Sequence, residues 1–262
     1  MQFLFTWALL AQSGGCHAIL QKAEQAFQAR QLEAAAAEFQ RALPACPQKV
    51  AILVSLGQIQ YLIGKEIEAE ESLKAALATE AGHVPALYAL GRVYYQQKRY
   101  LEAVEKFKRV VELEPRHHRG WDNLGLSYDA LQMDADALRS FFRALDIVMK
   151  HLPDYDWAHA NLADFFLRRN QFEKAFQLAA EAARRNPESA RNCFLTGKAL
   201  ANLDKPDLSL RWLEQAVKLD PAYPEPLYLL GQIYTRLGEK EKAAEALKKF
   251  QEVKAKTPRA KR

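Results

Sequence analysis

The sequence predicts an all-α fold, a solenoid of about seven helix-turn-helix repeats of 34 residues each. Three observations carry this reading. Small residues recur in one slot at that step, as Gly57, Gly91 and Gly125 and again as Gly197 and Gly231. A second small slot keeps the same rhythm through Ala35, Ala69, Ala103, Ala137, Ala175, Ser209 and Ala243. Four positions after each of these stands Phe39, Leu73, Phe107, Phe141, Ala179, Leu213 or Leu247. Between the slots, apolar residues return at three and four positions, which gathers them on one face of an α-helix.

Each repeat can be justified in turn. The first, residues 16–49, is the least regular: Lys22-Ala23 stands where later copies have Leu-Gly, and Pro47 stops its second helix. Residues 50–83 form the second, with Leu56-Gly57. The third, residues 84–117, has Leu90-Gly91 with Tyr94 and predicts helices over 86–97 and 100–113, closed by Pro115. The fourth, residues 118–151, contains "WDNLGLSYDALQ", residues 121–132, with apolar positions at helical spacing around Gly125. A four-residue insertion, "LPDY", follows at 152–155. Residues 156–189 carry Leu162-Ala163 with Phe166 and end at Pro187, and residues 190–223 carry Thr196-Gly197 and end at Pro221. In the latter, Pro206 falls where the second helix begins, a position that tolerates proline. Residues 224–257 close the series with Leu230-Gly231 and Tyr234, leaving a basic tail at 258–262.

A mid-helix glycine costs about 1 kcal/mol relative to alanine. Five of the eleven glycines nevertheless occupy one slot. In an antiparallel helix pair, a small residue lets the backbones approach while bulk from the second helix fills the gap.

The stretches "WDNLGLSY" in the fourth repeat and "LYALGRVYYQQKRYLEAVEKFKRVVELEP" in the third resemble the tetratricopeptide repeat, a 34-residue pair of helices with a Trp-x-x-Leu-Gly-x-x-Tyr, Ala, Phe, Pro pattern. The resemblance runs over residues 16–257. It implies a right-handed superhelix whose first helices line a concave groove, and a non-enzymatic protein-protein interaction scaffold that takes an extended peptide or partner helix there. The groove stripe is then Tyr88, Arg92 and Tyr95 on repeat three, and Arg119, Asp122 and Asp129 on repeat four. It continues as Trp157 and Asp164 on repeat five, Arg191, Phe194 and Lys198 on repeat six, and Tyr228 on repeat seven. Tyr, Trp and Arg combine contact area with a polar handle. Members of the family that clamp a terminal carboxylate use Lys and Asn on this stripe. Here Arg92, Arg119 and Lys198 lack the neighbouring asparagines, so that ligand is not implied.

The second-helix position that meets the next repeat reads Leu43, Leu77, Val111, Leu145, Ala183, Val217 and then Gln251. An amide after six apolar contacts marks repeat seven as terminal. Leu247 and Phe250 are then expected to stay partly exposed, leaving room for self-association through the last repeat.

Residues 1–15 precede the repeats. Within them "FLFTWALLA", residues 3–11, has the length of a secretory apolar region, and Ala11 and Ser13 are small where a signal peptidase reads. No Lys or Arg precedes it, and Lys22 is the first such side chain. Export to the periplasm or outside is the expectation; a hydrophobic cap on repeat one of a cytoplasmic protein is the alternative. Cys16 opens the first helix of repeat one and Cys46 closes its second, so antiparallel pairing brings them near each other. Three states stay open: a disulfide in an oxidising compartment, two free thiols, or a lipid on Cys16, since "SGGC" resembles a lipoprotein cleavage box with Ser13 where Leu is usual. The last would make the chain an envelope lipoprotein assisting assembly of a multiprotein complex. Cys193, mid-helix, reads as a small core residue.

Composition excludes several classes. With 49% hydrophobic residues the 262-residue chain can bury a long core, yet no apolar run reaches the ~18 residues of a membrane span. The net charge of +5 is supplied by Lys254, Lys256, Arg259, Lys261 and Arg262 after Glu252, so the body is balanced and lacks the basic stripe of a nucleic-acid binder. There is no His-Glu-x-x-His, no phosphate loop and no zinc-spaced Cys pair, and neither enzyme nor cofactor nor metal is implied. His117 and His118 read as solvent-facing turn residues. His151 and His159 flank the insertion with Asp154 and Asp156, a loop that offers carboxylates to a cation but reads first as a longer link.

Overall fold

In the computed structural model the described residues are 14–152 and 154–256. The apolar segment 3–11 and the tail 258–262 lie outside them. The described residues form helices and no strand, in two compact units divided between Met133 and Asp134.

The first unit holds α1 (Gly14–Gln28), α2 (Leu32–Ala45), α3 (Lys49–Leu62), α4 (Glu66–Thr79), α5 (Val84–Gln96), α6 (Tyr100–Leu113) and α7 (His118–Ala130). The second holds α8 (Asp134–His151), α9 (Trp157–Arg168), α10 (Phe172–Arg185), α11 (Ala190–Asn202), α12 (Pro206–Leu219), α13 (Pro224–Arg236) and α14 (Lys240–Lys256). Within each unit every helix packs on the next, and the first helices also touch one another, α3 on α5, α5 on α7, α9 on α11 and α11 on α13. Among the described residues no two successive second helices make such contact. The first unit is therefore three stacked helix hairpins followed by α7, and the second is α8 followed by three more, with first helices meeting first helices in each.

Packing follows the two small slots. Gly57, Gly197 and Gly231 face Leu73, Leu213 and Leu247, and a methyl group built on them would stand 2.7, 2.8 and 2.6 Å from those side chains. No side chain larger than hydrogen fits without displacement, so the gain is close packing of the partner against backbone. Repeat five inverts the solution: Ala163 replaces the glycine and Ala179 replaces the bulky partner, and both are fully buried. Phe107, Phe141, Phe165, Leu73 and Leu213 are among the large side chains with no exposed surface.

The turns carry a regularity of their own. Arg30, Gly64, Lys98, Gln132, Asn170, Asp204 and Gly238 occupy one slot of the repeat and all have positive φ. After each, an N–H reaches back five residues, as Gln31 to Ala26, Lys65 to Gln60, Arg99 to Tyr94 and Glu239 to Tyr234. This left-handed stop satisfies carbonyls at the end of the first helix. Only two of the seven use glycine, which adopts that backbone without steric cost.

Several expectations are refined. α12 starts at Pro206, which sits in its first turn as the sequence requires. The repeat is longer than its link alone requires: α8 runs on to His151 and has 18 residues against 14 in α6 and α10, so an added helical turn precedes the LPDY segment. His117 and His118 are half-buried, not solvent-facing. His117 Nδ1 accepts from the Gly120 N–H at 2.8 Å and caps α7, and His83 caps α5 in the same way through Ala86. Uncapped N–H groups at a helix start need an acceptor, and a neutral imidazole supplies one. Leu247 and Phe250 are half-buried and Gln251 is exposed. Cys16 and Cys46 are both buried, with Cα atoms 5.3 Å apart. Cys193 is buried in α11, and burial pushes its thiol pKa up.

Candidate functional site

In the first unit the stripe is built on α3, α5 and α7. Spacings of four and three place Tyr88, Arg92 and Tyr95 on one side of α5. Arg92 lies over the Tyr61 ring of α3, 4.9 Å from its centroid, and Gln58, Tyr61, Leu62, Tyr88 and Arg92 line a shallow recess. Tyr88 is half-buried, its ring 5.1 Å from His117 and its hydroxyl accepting from Asn123 Nδ2 at 3.2 Å. Burial raises its phenol pKa, while Arg92 and Arg119 pull it back. Tyr95 is half-buried against Tyr100, with ring centroids 5.4 Å apart. Arg119 is exposed and Asp129 half-buried.

Asp122 departs from the expected stripe, since it is only 2% exposed. It occupies the slot that Tyr88 and Tyr228 fill in other repeats, and a two-carbon acid is too short to emerge where those rings do; Phe194, in the same slot of repeat six, is also buried, at 9%, against Tyr223. Gln58 and Tyr61 were missed. They stand one repeat before Arg92 and Tyr95, so carrying the stripe back by 34 residues finds them.

In the second unit the stripe lies on α9, α11 and α13. Trp157 opens α9 and is 53% exposed, with the Arg191 guanidinium 5.2 Å from its ring centroid. Arg191 Nη2 also donates to Asn161 Oδ1 at 2.9 Å, which holds the arginine beside the indole. One turn on, Lys198 Nζ lies 5.8 Å over Phe194, and Phe194 meets Tyr223 edge-on at 5.3 Å. Burial pushes the Tyr223 phenol up to about 12, so it stays a neutral donor. Asp164 pairs with Arg168 at 3.0 Å. Tyr228 is 46% exposed and its ring meets Phe250 at 5.2 Å. In this unit the Arg191 and Lys198 cations thus lie over aromatic rings.

Beside this stripe a buried polar cluster braces the same helices. Asp156 accepts from Asn192 Nδ2 at 2.7 Å and Asn186 Nδ2 at 3.3 Å, and Asn192 also donates to the Ala182 carbonyl at 3.1 Å. Asp156, offered by the sequence to a cation, is thus engaged in joining α9 to α11. Among the described residues no group of three or more His, Cys, Asp or Glu could hold a metal ion. His159 is 4% exposed, its Nδ1 buried with no hydrogen-bond partner among the described residues, and desolvation followed by Arg185 holds its pKa down at about 4. No described helix is long and apolar enough to cross a membrane.

Family models for the tetratricopeptide repeat match residues 84–117 and 224–257, and a further one, described as TPR repeat, matches 197–238. No curated protein sequence matches significantly. Among solved structures, a tetratricopeptide repeat protein from Parabacteroides merdae is 20% identical, with 94% of this chain and 95% of that one covered at a TM-score of 0.74. PilW, a type IV pilus biogenesis factor, is 16% identical over 81% of this chain and 97% of that one, with a TM-score of 0.71. YrrB, a repeat protein of the same family described as having an unusual peptide-binding site, is 17% identical over 73% and 96%, with a TM-score of 0.52. At these identities the likeness is one of fold.

Proposed function

The chain is a tetratricopeptide repeat protein, and we propose that it is a non-enzymatic scaffold which binds an extended peptide or partner helix along the face of its first helices. The observation that carries this is the exposure of two large aromatic side chains, Trp157 at 53% and Tyr228 at 46%, on the stripe that also presents Arg191 and Lys198. Aromatic and arginine side chains of this kind dominate binding energy at protein interfaces. YrrB, whose fold is shared, is described as a peptide binder. In the first unit, Arg92 over Tyr61 with Tyr88 beside it supplies a similar surface.

Export belongs to the same reading. Cys16 and Cys46 are positioned for a bridge that an oxidising compartment would keep, and the apolar segment 3–11 has the character of a leader. The alternative is an envelope lipoprotein with a lipid on Cys16 that helps assemble a complex; PilW, whose fold is shared, is a pilus biogenesis factor. Mass spectrometry of the mature chain separates the two, because a lipid on Cys16 forbids the bridge.

Affinity capture from the native host tests the scaffold reading. Replacing Arg92, Arg119 and Trp157 by alanine should abolish recovery of the partner while the helical content is unchanged. Equal recovery by both baits would move the binding surface elsewhere.

A further inference from the structure

The outer surface of the second helices has a slot that is polar in five of the seven repeats, as Gln40, Lys74, Lys108, Glu214 and Lys248, and is Ala180 in repeat five. Repeat four breaks it with Phe142, which is 50% exposed. The break is not isolated. Leu138, Phe142, Leu145, Met149 and Leu152 follow one another along α8 at spacings of four, three, four and three, the seam of a coiled coil over two heptads. Met149 is 62% exposed and Leu152 36%, while Leu138 and Leu145 are half-buried at the edge of their own core. Leu152 continues the helical bonding of α8 through its N–H to the Val148 carbonyl. The added turn at the end of α8 is what gives the seam its second heptad.

We propose that this face of α8 pairs antiparallel with α8 of a second copy of the chain. The charges beside the seam select that occupant. In an antiparallel pair the seam layers set Leu138 against Met149 of the second copy, and Phe142 against its Leu145. Arg139 then stands level with Asp146 of the second copy, and Asp146 with its Arg139. Both are available: their side chains are 76% and 42% exposed, and among the described residues each pairs within its own helix, Arg139 to Asp136 at 3.3 Å and Asp146 to Arg143 and Lys150. Such pairs contribute little and exchange readily. A parallel pairing would put Arg139 and Asp146 of the two copies on opposite sides of the seam and lose the match. A surface whose apolar seam and flanking charges both complement themselves under a two-fold axis is the requirement for an isologous dimer. Its location differs from the last repeat, where the sequence leaves room for self-association.

The experiment is sedimentation velocity on the full chain from low to high micromolar concentration, with thermal melts as the folding control. The native chain should pass from monomer to dimer as concentration rises. Phe142→Glu with Met149→Glu should remain monomeric with an unchanged helical spectrum, since both side chains already face solvent. Arg139→Asp alone and Asp146→Arg alone should each weaken dimerisation by roughly tenfold or more, because each sets like charges opposite one another. Mixing the two single variants should restore association, as every cross-pair is then between opposite charges. A native chain that stays monomeric throughout, or single variants that dimerise as well as the native chain, would overturn the proposal. So would a mixture that fails to associate.

Discussion

Gly91 lies so close to Phe107 that a methyl group at its Cα would stand 2.7 Å from the ring's Cε1 and 2.9 Å from Cζ. The ring cannot retreat, because Phe107 has no exposed surface and fills the hairpin between α5 and α6. Gly91→Ala should therefore destabilise the chain by about 1–3 kcal/mol despite the better helix propensity of alanine. Adding Phe107→Ala to that variant should recover less than the overpacking cost, because the lost ring leaves a cavity. Urea titration of the two variants checks both statements, and a Gly91→Ala chain as stable as the native one would refute the packing account.

The turn slot makes the opposite prediction. Lys98 holds φ at 61° on an exposed turn and closes α5 through the Arg99 N–H to Tyr94. Gly64 and Gly238 do the same work with no Cβ to crowd the backbone. Lys98→Gly should stabilise by about 0.5–1 kcal/mol, the relief of left-handed strain exceeding the added freedom of the unfolded chain. A lowered melting temperature would show that the lysine side chain has a role beyond the turn.

Acid sensitivity should centre on His159. Its folded pKa of about 4 lies below the ordinary 6.5 because the imidazole is buried, so the unfolded chain takes up a proton that the folded chain refuses. Stability is then complete above pH 6.5 and falls as pH drops from 6.5 to 4, by about 3 kcal/mol in all from this residue. His118, also held at about 4 by burial, adds a slope of the same sign. Glu181, drawn down to about 2 by Arg184 and Arg185, acts only at lower pH, from 4.5 downward. Melts between pH 7.5 and 5 isolate the histidines, and His159→Leu should flatten the curve there. An unchanged slope in that variant would assign the effect elsewhere.

The pair at the start of the stack sets a fourth test. Cys16 and Cys46 are separated by 30 residues, and joining them would remove about 3–4 kcal/mol of unfolded-state entropy. Denatured protein purified from an oxidising compartment should titrate as a single thiol, from Cys193, and a reductant should lower its melting temperature. Three reactive thiols would refute the bridge.

Much of this was legible in the chain because it depends on period. The Gly57, Gly91, Gly197 and Gly231 slot, the start of α12 at Pro206 and the span of α6 from Tyr100 to Leu113 all follow from spacing, since a helix fixes which residues share a face. The same spacing puts Tyr88, Arg92 and Tyr95 on one side of α5.

Only the tertiary structure decided what depends on reach and solvent. Asp122 shares a slot with Tyr88 and Tyr228, yet its short side chain leaves it buried. Asp156 looked free for a cation, but Asn192 and Asn186, 36 and 30 residues away, converge on its carboxylate. His117 turned inward because the start of α7 needed an acceptor. Periodicity tells which side of a helix a residue occupies; how far its side chain extends and what meets it there is settled by neighbours distant in sequence.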